Sequence, residues 1–228
     1  MYNIMNTSNV NSINIKRKKV LDVLSEIEDL AKRNSLPSIG PIKGKILGDI
    51  IKKHKPKRIL EIGTLHGYSA ILMANILLSI NDDNDNDHNN IPKKIIVTCL
   101  EIDKNLVNIA IRNIEKAGLS DRIEIITGDA LDIIPRLDNN HYRFNLVFID
   151  AIKEQYLSYL KLLEENDLLN KKSIIVADNV LLYEKEMKDY LEYVRNSGRY
   201  SSYTTETTLE FNKNVKDALE VSITANID

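Results

Sequence analysis

Between Arg58 and Asp178 the chain alternates between two textures. Short runs rich in Ile and Val occur at "RILEIG" (58–63), "KIIVTCLE" (94–101), "RIEIITG" (122–128), "FNLVFID" (144–150) and "KSIIVAD" (172–178). Around them lie segments with apolar residues at helical spacing: Tyr68–Ile80, Asn105–Ala117, Glu154–Leu169 and Tyr183–Arg195. β-Branched strands separated by helices predict βαβ units, hence an α/β fold whose parallel sheet has helices on both faces. Two helices are expected ahead of it. One covers Lys16–Asn34, with Val20, Leu21, Leu24, Ile27 and Leu30 as its apolar positions; the other covers Lys43–His54. "SLPSIGP" separates the two, and Lys55-Pro56 ends the second. Near the C-terminus, "YSSYTTETTLEF" and "ALEVSITA" flank a polar turn around Asn212–Lys216 and predict an antiparallel hairpin closing one edge.

Composition narrows the class. A chain of 228 residues suits one large domain with a sizeable core. With 43% hydrophobic and 28% charged residues and a net charge of -2, it offers no electrostatic case for nucleic acid or membrane as a main partner. No apolar run reaches the ~18 residues a bilayer span needs. Residues 1–15, "MYNIMNTSNVNSINI", lack the apolar centre of a signal peptide and are expected to be a flexible tail, leaving 16–228 as a single domain. The single cysteine, Cys99, cannot form an intrachain disulfide and lies in an apolar run, so a buried thiol in a reducing, cytoplasmic setting is expected. "NDDNDNDHNN" (81–90) lacks the Gly and Glu of a calcium loop; residues 81–92 are expected to be a mobile surface insertion.

The strand ends carry the candidate chemistry. "ILEIGTLHGYSA" places Gly63 and Gly67 after the first strand and before a helix, where parallel sheets bind nucleotides. The spacing is G-x-x-x-G rather than the G-x-G-x-x-G of dinucleotide sites. Glu61, two positions earlier, would repel a pyrophosphate and suit an ammonium group. Glu101, ending the second strand in "CLEID", can accept from two ribose hydroxyls. An adenosine with a positively charged far end fits S-adenosylmethionine better than NAD. The competing reading is glycines for turn geometry and glutamates as helix-start charges.

Farther along, Asp150 ends one strand, and Asp178 with Asn179 ends the next in "IIVADNV". Two carboxylates and an amide carbonyl are hard oxygen donors suited to Mg²⁺, and three protein ligands leave positions for two substrate oxygens and a water. A vicinal diol or catechol would chelate there. Lys153, one helical turn past Asp150, is placed to take the hydroxyl proton. Taken singly, each has an ordinary alternative: Asp150 as a helix cap, Asp178–Asn179 as a turn, Lys153 as a solvated lysine.

With these motifs in order, the chain resembles the cation-dependent O-methyltransferases, most closely the catechol O-methyltransferase type. "SIGPIKGKILGDIIKKHKPKRILEIGTLHGYSA" is similar to the family's N-terminal stretch and glycine motif, "FIDAIKEQYL" to its aspartate-x-x-lysine motif and "VADNV" to its aspartate–asparagine pair. The resemblance implies a Rossmann-like methyltransferase fold: a seven-stranded, mostly parallel sheet with the last strand antiparallel. It implies that Ile39, Glu61, Gly63, Tyr68, Ser69, Glu101, Ile102, Ala130, Asp150 and Ala151 line the methyl-donor site, partly covered by helices within residues 16–56. Asp150, Asp178 and Asn179 would hold Mg²⁺ or another divalent cation, and Lys153 would be the catalytic base. Lys153, Asn179, Glu210 and Tyr183 would meet the acceptor. The chain departs from the family where aromatic and sulfur-bearing residues cover the catechol ring, with Ser35 and Pro37 in their places, and at Ala151, which replaces a polar adenine contact.

The expectation is an S-adenosylmethionine- and Mg²⁺-dependent O-methyltransferase acting on a small vicinal-diol phenol, compatible with a homodimer. A rival reading keeps the chemistry and moves it to a hydroxylated nucleoside in RNA, on the strength of "KGKILGDIIKKHKPKR", with seven Lys/Arg from Lys43 to Arg58. A nucleotide-binding oxidoreductase or a non-catalytic binding domain is a third, and Glu61 beside the glycines argues against NAD.

Overall fold

The protein is described here by a computed structural model covering residues 4–82 and 96–225. Among the described residues the strands β1 (Ile59–Ile62), β2 (Val97–Glu101), β3 (Ile123–Thr127), β4 (Phe144–Ile149), β5 (Leu169–Ala177), β6 (Tyr200–Leu209) and β7 (Asn212–Thr224) form one seven-stranded sheet, ordered β3-β2-β1-β4-β5-β7-β6. Strands β1 to β5 pair in parallel, and β7 runs antiparallel to both of its neighbours, β5 and β6. Strand order reverses between β1 and β4, and such a switch opens a crevice beyond the carboxyl ends of the strands.

The period-2 alternation of the strands divides two apolar layers. Ile59, Cys99, Phe148, Val176 and Leu219 face helices α1 (Ile4–Asn34), α2 (Gly40–His54), α3 (Tyr68–Asp82) and α4 (Lys104–Ala117). Leu60, Leu100, Val147, Ile149 and Ala177 face the other layer, from α5 (Ala130–Ile133), α6 (Tyr156–Glu165) and α7 (Lys188–Asn196). Phe144 joins this second layer although Leu146 and Phe148 join the first, because the ladder to β5 shifts register between Phe144 and Leu146. Cys99 is fully buried, as its apolar run predicts.

Several boundaries differ from the sequence reading. Helix α1 starts at Ile4, ahead of the expected Lys16. Its buried stripe is Val20, Val23, Leu24, Ile27 and Ala31, which follows the 3.6 period, while Leu21 and Leu30 fall outside it and are exposed. The hairpin turns tightly at Glu210–Phe211, with Phe211 at φ 61, rather than around Asn212–Lys216. Helix α7 begins at Lys188 instead of Tyr183, because Asp217 takes the Leu182 N–H and Ala218 takes the Val180 N–H, fixing the chain in turns. Most of the Asn/Asp-rich stretch lies outside the described residues.

One backbone approach positions the crevice. Gly63 has φ 90, and a Cβ there would stand 2.1 Å from the Asp150 carbonyl oxygen, whereas Gly118, at φ 73, faces open space. Gly118→Ala should therefore cost about 1 kcal/mol for its left-handed backbone. Gly63→Ala adds a clash with main chain and should cost at least about 3 kcal/mol. Denaturant unfolding of the two variants checks this, and equal losses would contradict the close approach.

Candidate active site

The ends of β1, β2, β4 and β5, the β6–β7 turn and the start of α2 surround a cavity of about 1230 Å³. Of the residues expected at the site, Ile39, Gly63, Tyr68, Ser69, Glu101, Ile102, Ala130, Asp150, Ala151, Lys153, Asp178, Asn179, Tyr183 and Glu210 all line it. Glu61 does not. It is fully buried behind Ser69 and Thr64, whose hydroxyls donate to its two carboxylate oxygens, Thr64 at 3.0 Å. The expected direct pairing of Glu61 with an ammonium group is thus replaced by contact through two hydroxyls that face the cavity.

Glu101 is committed to the backbone. Its Oε2 accepts the Thr64 and Leu65 N–H groups at 3.0 Å each, and its Oε1 accepts the Asp103 N–H at 3.1 Å. It therefore ties the glycine loop to the end of β2, and any ribose contact uses what acceptor capacity is left. Asp103, next along, caps α4 through the Asn105 and Leu106 N–H groups. Tyr68 is buried and donates to Glu28 of α1 at 2.6 Å, which anchors the cover helix to the loop.

Across the switch point, Asp150 caps no helix: the turn at Lys153–Gln155 and α6 have no side-chain caps. Instead its Oδ1 accepts from Lys153 Nζ at 2.9 Å, and the same Nζ donates to the Tyr156 hydroxyl at 2.9 Å. The rings of Tyr156 and Tyr183 lie 5.3 and 5.7 Å from that ammonium. Lys153 is held, not solvated.

The third cluster was largely hidden from sequence reasoning. Lys43 is fully buried and donates to Asp178 Oδ1 at 2.6 Å and to Asp217 Oδ2. Asp217 Oδ2 also accepts from Asn179 Nδ2 at 2.8 Å, and Asp178 Oδ1 accepts the Asn179 N–H at 2.7 Å. Burial alone would push the Lys43 ammonium down, but Asp178 and Asp217 outweigh it and hold it above its ordinary value. Burial, and then the charge of Asp150, push the Asp178 carboxyl up against the pull of Lys43. Among the described residues, Asp150, Asp178 and Asp217 form ion pairs with Lys43 and Lys153. Two signals pointed to these residues. Lys43 sits in register with Ile39 and Leu47 on a buried helix face, and Asp217 alternates with buried Leu219 and Val221.

The basic stretch counted from Lys43 to Arg58 is not one exposed face. Lys43 is interior, and Lys45 and Lys52 pair with Asp49. Glu210 lines the cavity as expected, and its Oε2 accepts the Ile42 N–H at 3.0 Å, which pins the hairpin turn to α2. Among the described residues no group of three or more His, Cys, Asp or Glu is gathered as for a metal ion. No helix among them is long and apolar enough to cross a membrane.

Burial pushes the Glu61 carboxyl up to about 7, although Ser69, Cys99 and Thr64 hydrogen-bond to it. A carboxyl raised on folding stabilises the fold below its unfolded value, near 4.5, and loses that contribution as pH rises through about 7. The stability of the wild-type protein relative to Glu61→Gln should therefore fall between about pH 5 and 8, by roughly 3 kcal/mol at 1.36 kcal/mol per unit. Denaturant titrations of both proteins across that range check it; a difference independent of pH would contradict the burial of Glu61.

Comparison with known proteins agrees with this geometry. The chain is 34% identical over 205 residues to catechol O-methyltransferase B of Danio rerio, covering 88% of this chain and 71% of that protein. It is 36% identical over 172 residues to catechol O-methyltransferase of Niastella koreensis, covering 71% of each. The alignment with the Bos taurus catechol O-methyltransferase, at 34% identity, covers 80% of this chain and 61% of that one. Among solved structures, an O-methyltransferase from Bacillus cereus in complex with SAH superposes with a TM-score of 0.73 at 26% identity, over 90% of this chain and 91% of that one. A sequence model described as O-methyltransferase matches residues 11–225, a span that includes every strand of the sheet and every side chain of the cavity, and the chain belongs to that family.

Proposed function

We propose that the protein transfers methyl from S-adenosylmethionine to one hydroxyl of a small catechol-like acceptor, with Mg²⁺ or a similar divalent cation in the site. The observation that carries this reading is the meeting of Lys153–Asp150 at the tip of β4 with Asp178–Asn179 at the tip of β5, inside one cavity. The residues fit the cation by donor chemistry: two carboxylates and an amide, with an Asp178 carboxyl pushed up by burial and then by the charge of Asp150. When bound, the cation would chelate the acceptor oxygens and make a hydroxyl acidic near neutral pH. The donor supplies an electrophilic methyl on a sulfonium.

The chain's own residues do the rest. Ser69 and Thr64 present hydroxyls whose orientation Glu61 sets, and Glu101 holds the glycine loop that shapes the donor end of the cavity. At the acceptor end, Lys153 Nζ is steered by Asp150 and Tyr156 and would take up the hydroxyl proton. Apolar Ile39, Pro37 and Leu182 line the cavity. Ser35 and Pro37 line the cavity, so no aromatic side chain stands at either position.

Lys153→Met should lower kcat at least about 100-fold. S-Adenosylhomocysteine affinity, read by calorimetry, should stay within about 3-fold, because Lys153 itself is expected to meet the acceptor and not the donor. A variant with unimpaired turnover would remove Lys153 from the chemistry. With catechol as acceptor, EDTA should abolish methyl transfer and excess Mg²⁺ restore it, whereas full activity in EDTA would remove the cation.

A further inference from the structure

We propose that Asp217, backed by Lys43, is a positioning residue that fixes which branch of the Asn179 amide faces the cavity. This rests on the reading of Asp150, Asp178 and Asn179 as a divalent-cation site. The two branches of an asparagine amide are nearly the same shape and differ in sign, so an untethered Asn179 could present its NH₂ to a cation as readily as its oxygen. A carboxylate accepts only, and Asp217 Oδ2 takes Asn179 Nδ2 at 2.8 Å. The amide nitrogen is thereby committed, and the amide oxygen is left for the cavity that Asn179 lines.

Asp217 can hold that amide because it is itself held. It is fully buried, Lys43 Nζ shares its Oδ2, and the Leu182 N–H donates to its Oδ1 at 3.2 Å. Lys43, Asn179 and Leu182 all donate to its carboxylate. Lys43 links the same carboxylate to Asp178, so the two β5 side chains are set by one rigid pair. Asn179 also sits at φ 64 with its N–H taken by Asp178, a backbone state that non-glycine residues adopt rarely and that clusters at functional sites. Groups that orient cation ligands in this way change affinity by about 10- to 100-fold when removed.

The test is an exchange of the pair, read by calorimetric titration of Mn²⁺ into the full chain, with no turnover required. Asp217→Asn keeps the shape but puts an NH₂ among three donors, so the Asn179 tether is no longer unique; Mn²⁺ should bind about 10-fold more weakly or worse. Asn179→Asp alone sets two carboxylates against each other and should also weaken Mn²⁺, although added negative charge by itself would tighten it. Together, Asn179→Asp and Asp217→Asn restore one donor and one acceptor, and an aspartate presents an oxygen from either branch. The double variant should recover to within about 3-fold of wild type. S-Adenosylhomocysteine affinity without metal should stay within about 2-fold throughout.

Unchanged Mn²⁺ affinity in Asp217→Asn, or a double variant no better than Asp217→Asn, would overturn the positioning role while leaving the cation site standing. If Asp217→Asn does not fold, the double variant decides, since Mn²⁺ binding there about 10-fold or more weaker than in the wild type would overturn the role. Absence of Mn²⁺ binding by the wild-type protein would overturn the cation site and this inference together.

Discussion

A lysine ammonium buried between two carboxylates is the contact on which the Asp178–Asn179 side of the cavity depends. Lys43 joins Asp178 and Asp217 across sequence separations of 135 and 174 residues, and so ties α2 to two adjacent strands, β5 and β7. Charges taken out of water at this depth stay only when paired, and removing one partner of a buried pair costs on the order of 3–5 kcal/mol. The pair constrains the rest in turn. With Asp217 fixed, Leu182 is held in a turn instead of a helix, Asn179 keeps its left-handed backbone, and the tip of β5 faces the cavity.

The donor half depends on a different constraint, close packing of main chain. Strand order reverses between β1 and β4, and Gly63 allows the turn after β1 to lie against the Asp150–Ala151 backbone. That contact brings a loop organised by Glu101 and Glu61 beside the Asp150–Lys153 pair. One half of the cavity is thus set by steric exclusion of a single Cβ and the other by an interior ion pair. Methyl transfer between two bound molecules needs both halves in fixed relation, since its rate depends on placement of the reacting atoms.

Much of this was legible in the sequence because parallel strands advertise themselves. "FNLVFID" and "KSIIVAD" end in apolar runs, and each closes on the aspartate that follows its strand, so motif and strand end coincide. Helix limits were less legible. The helical periodicity after Val180 continues to Met187, but side-chain and strand acceptors capture the N–H groups of Leu182 and Val180 and keep that stretch in turns. Lys43 and Asp217 were passed over for a related reason. A lysine in a basic stretch reads as solvated and an aspartate near a turn reads as exposed; only the packing of α2 on β7 shows that each is the other's counter-ion. Glu61 was placed correctly in the chain, but its reach was misjudged, since Ser69 and Thr64 stand between it and the cavity.

In the proposed ternary site a cation joins the Asp150–Asp178–Asn179 set to a vicinal diol beside the donor. This site is tested most directly by calorimetric titration of catechol into the protein saturated with S-adenosylhomocysteine, once with Mg²⁺ and once with EDTA. The account predicts catechol binding with Mg²⁺ and at least about 10-fold weaker binding in EDTA. Equal affinity in the two conditions, or no catechol binding in either, would contradict it.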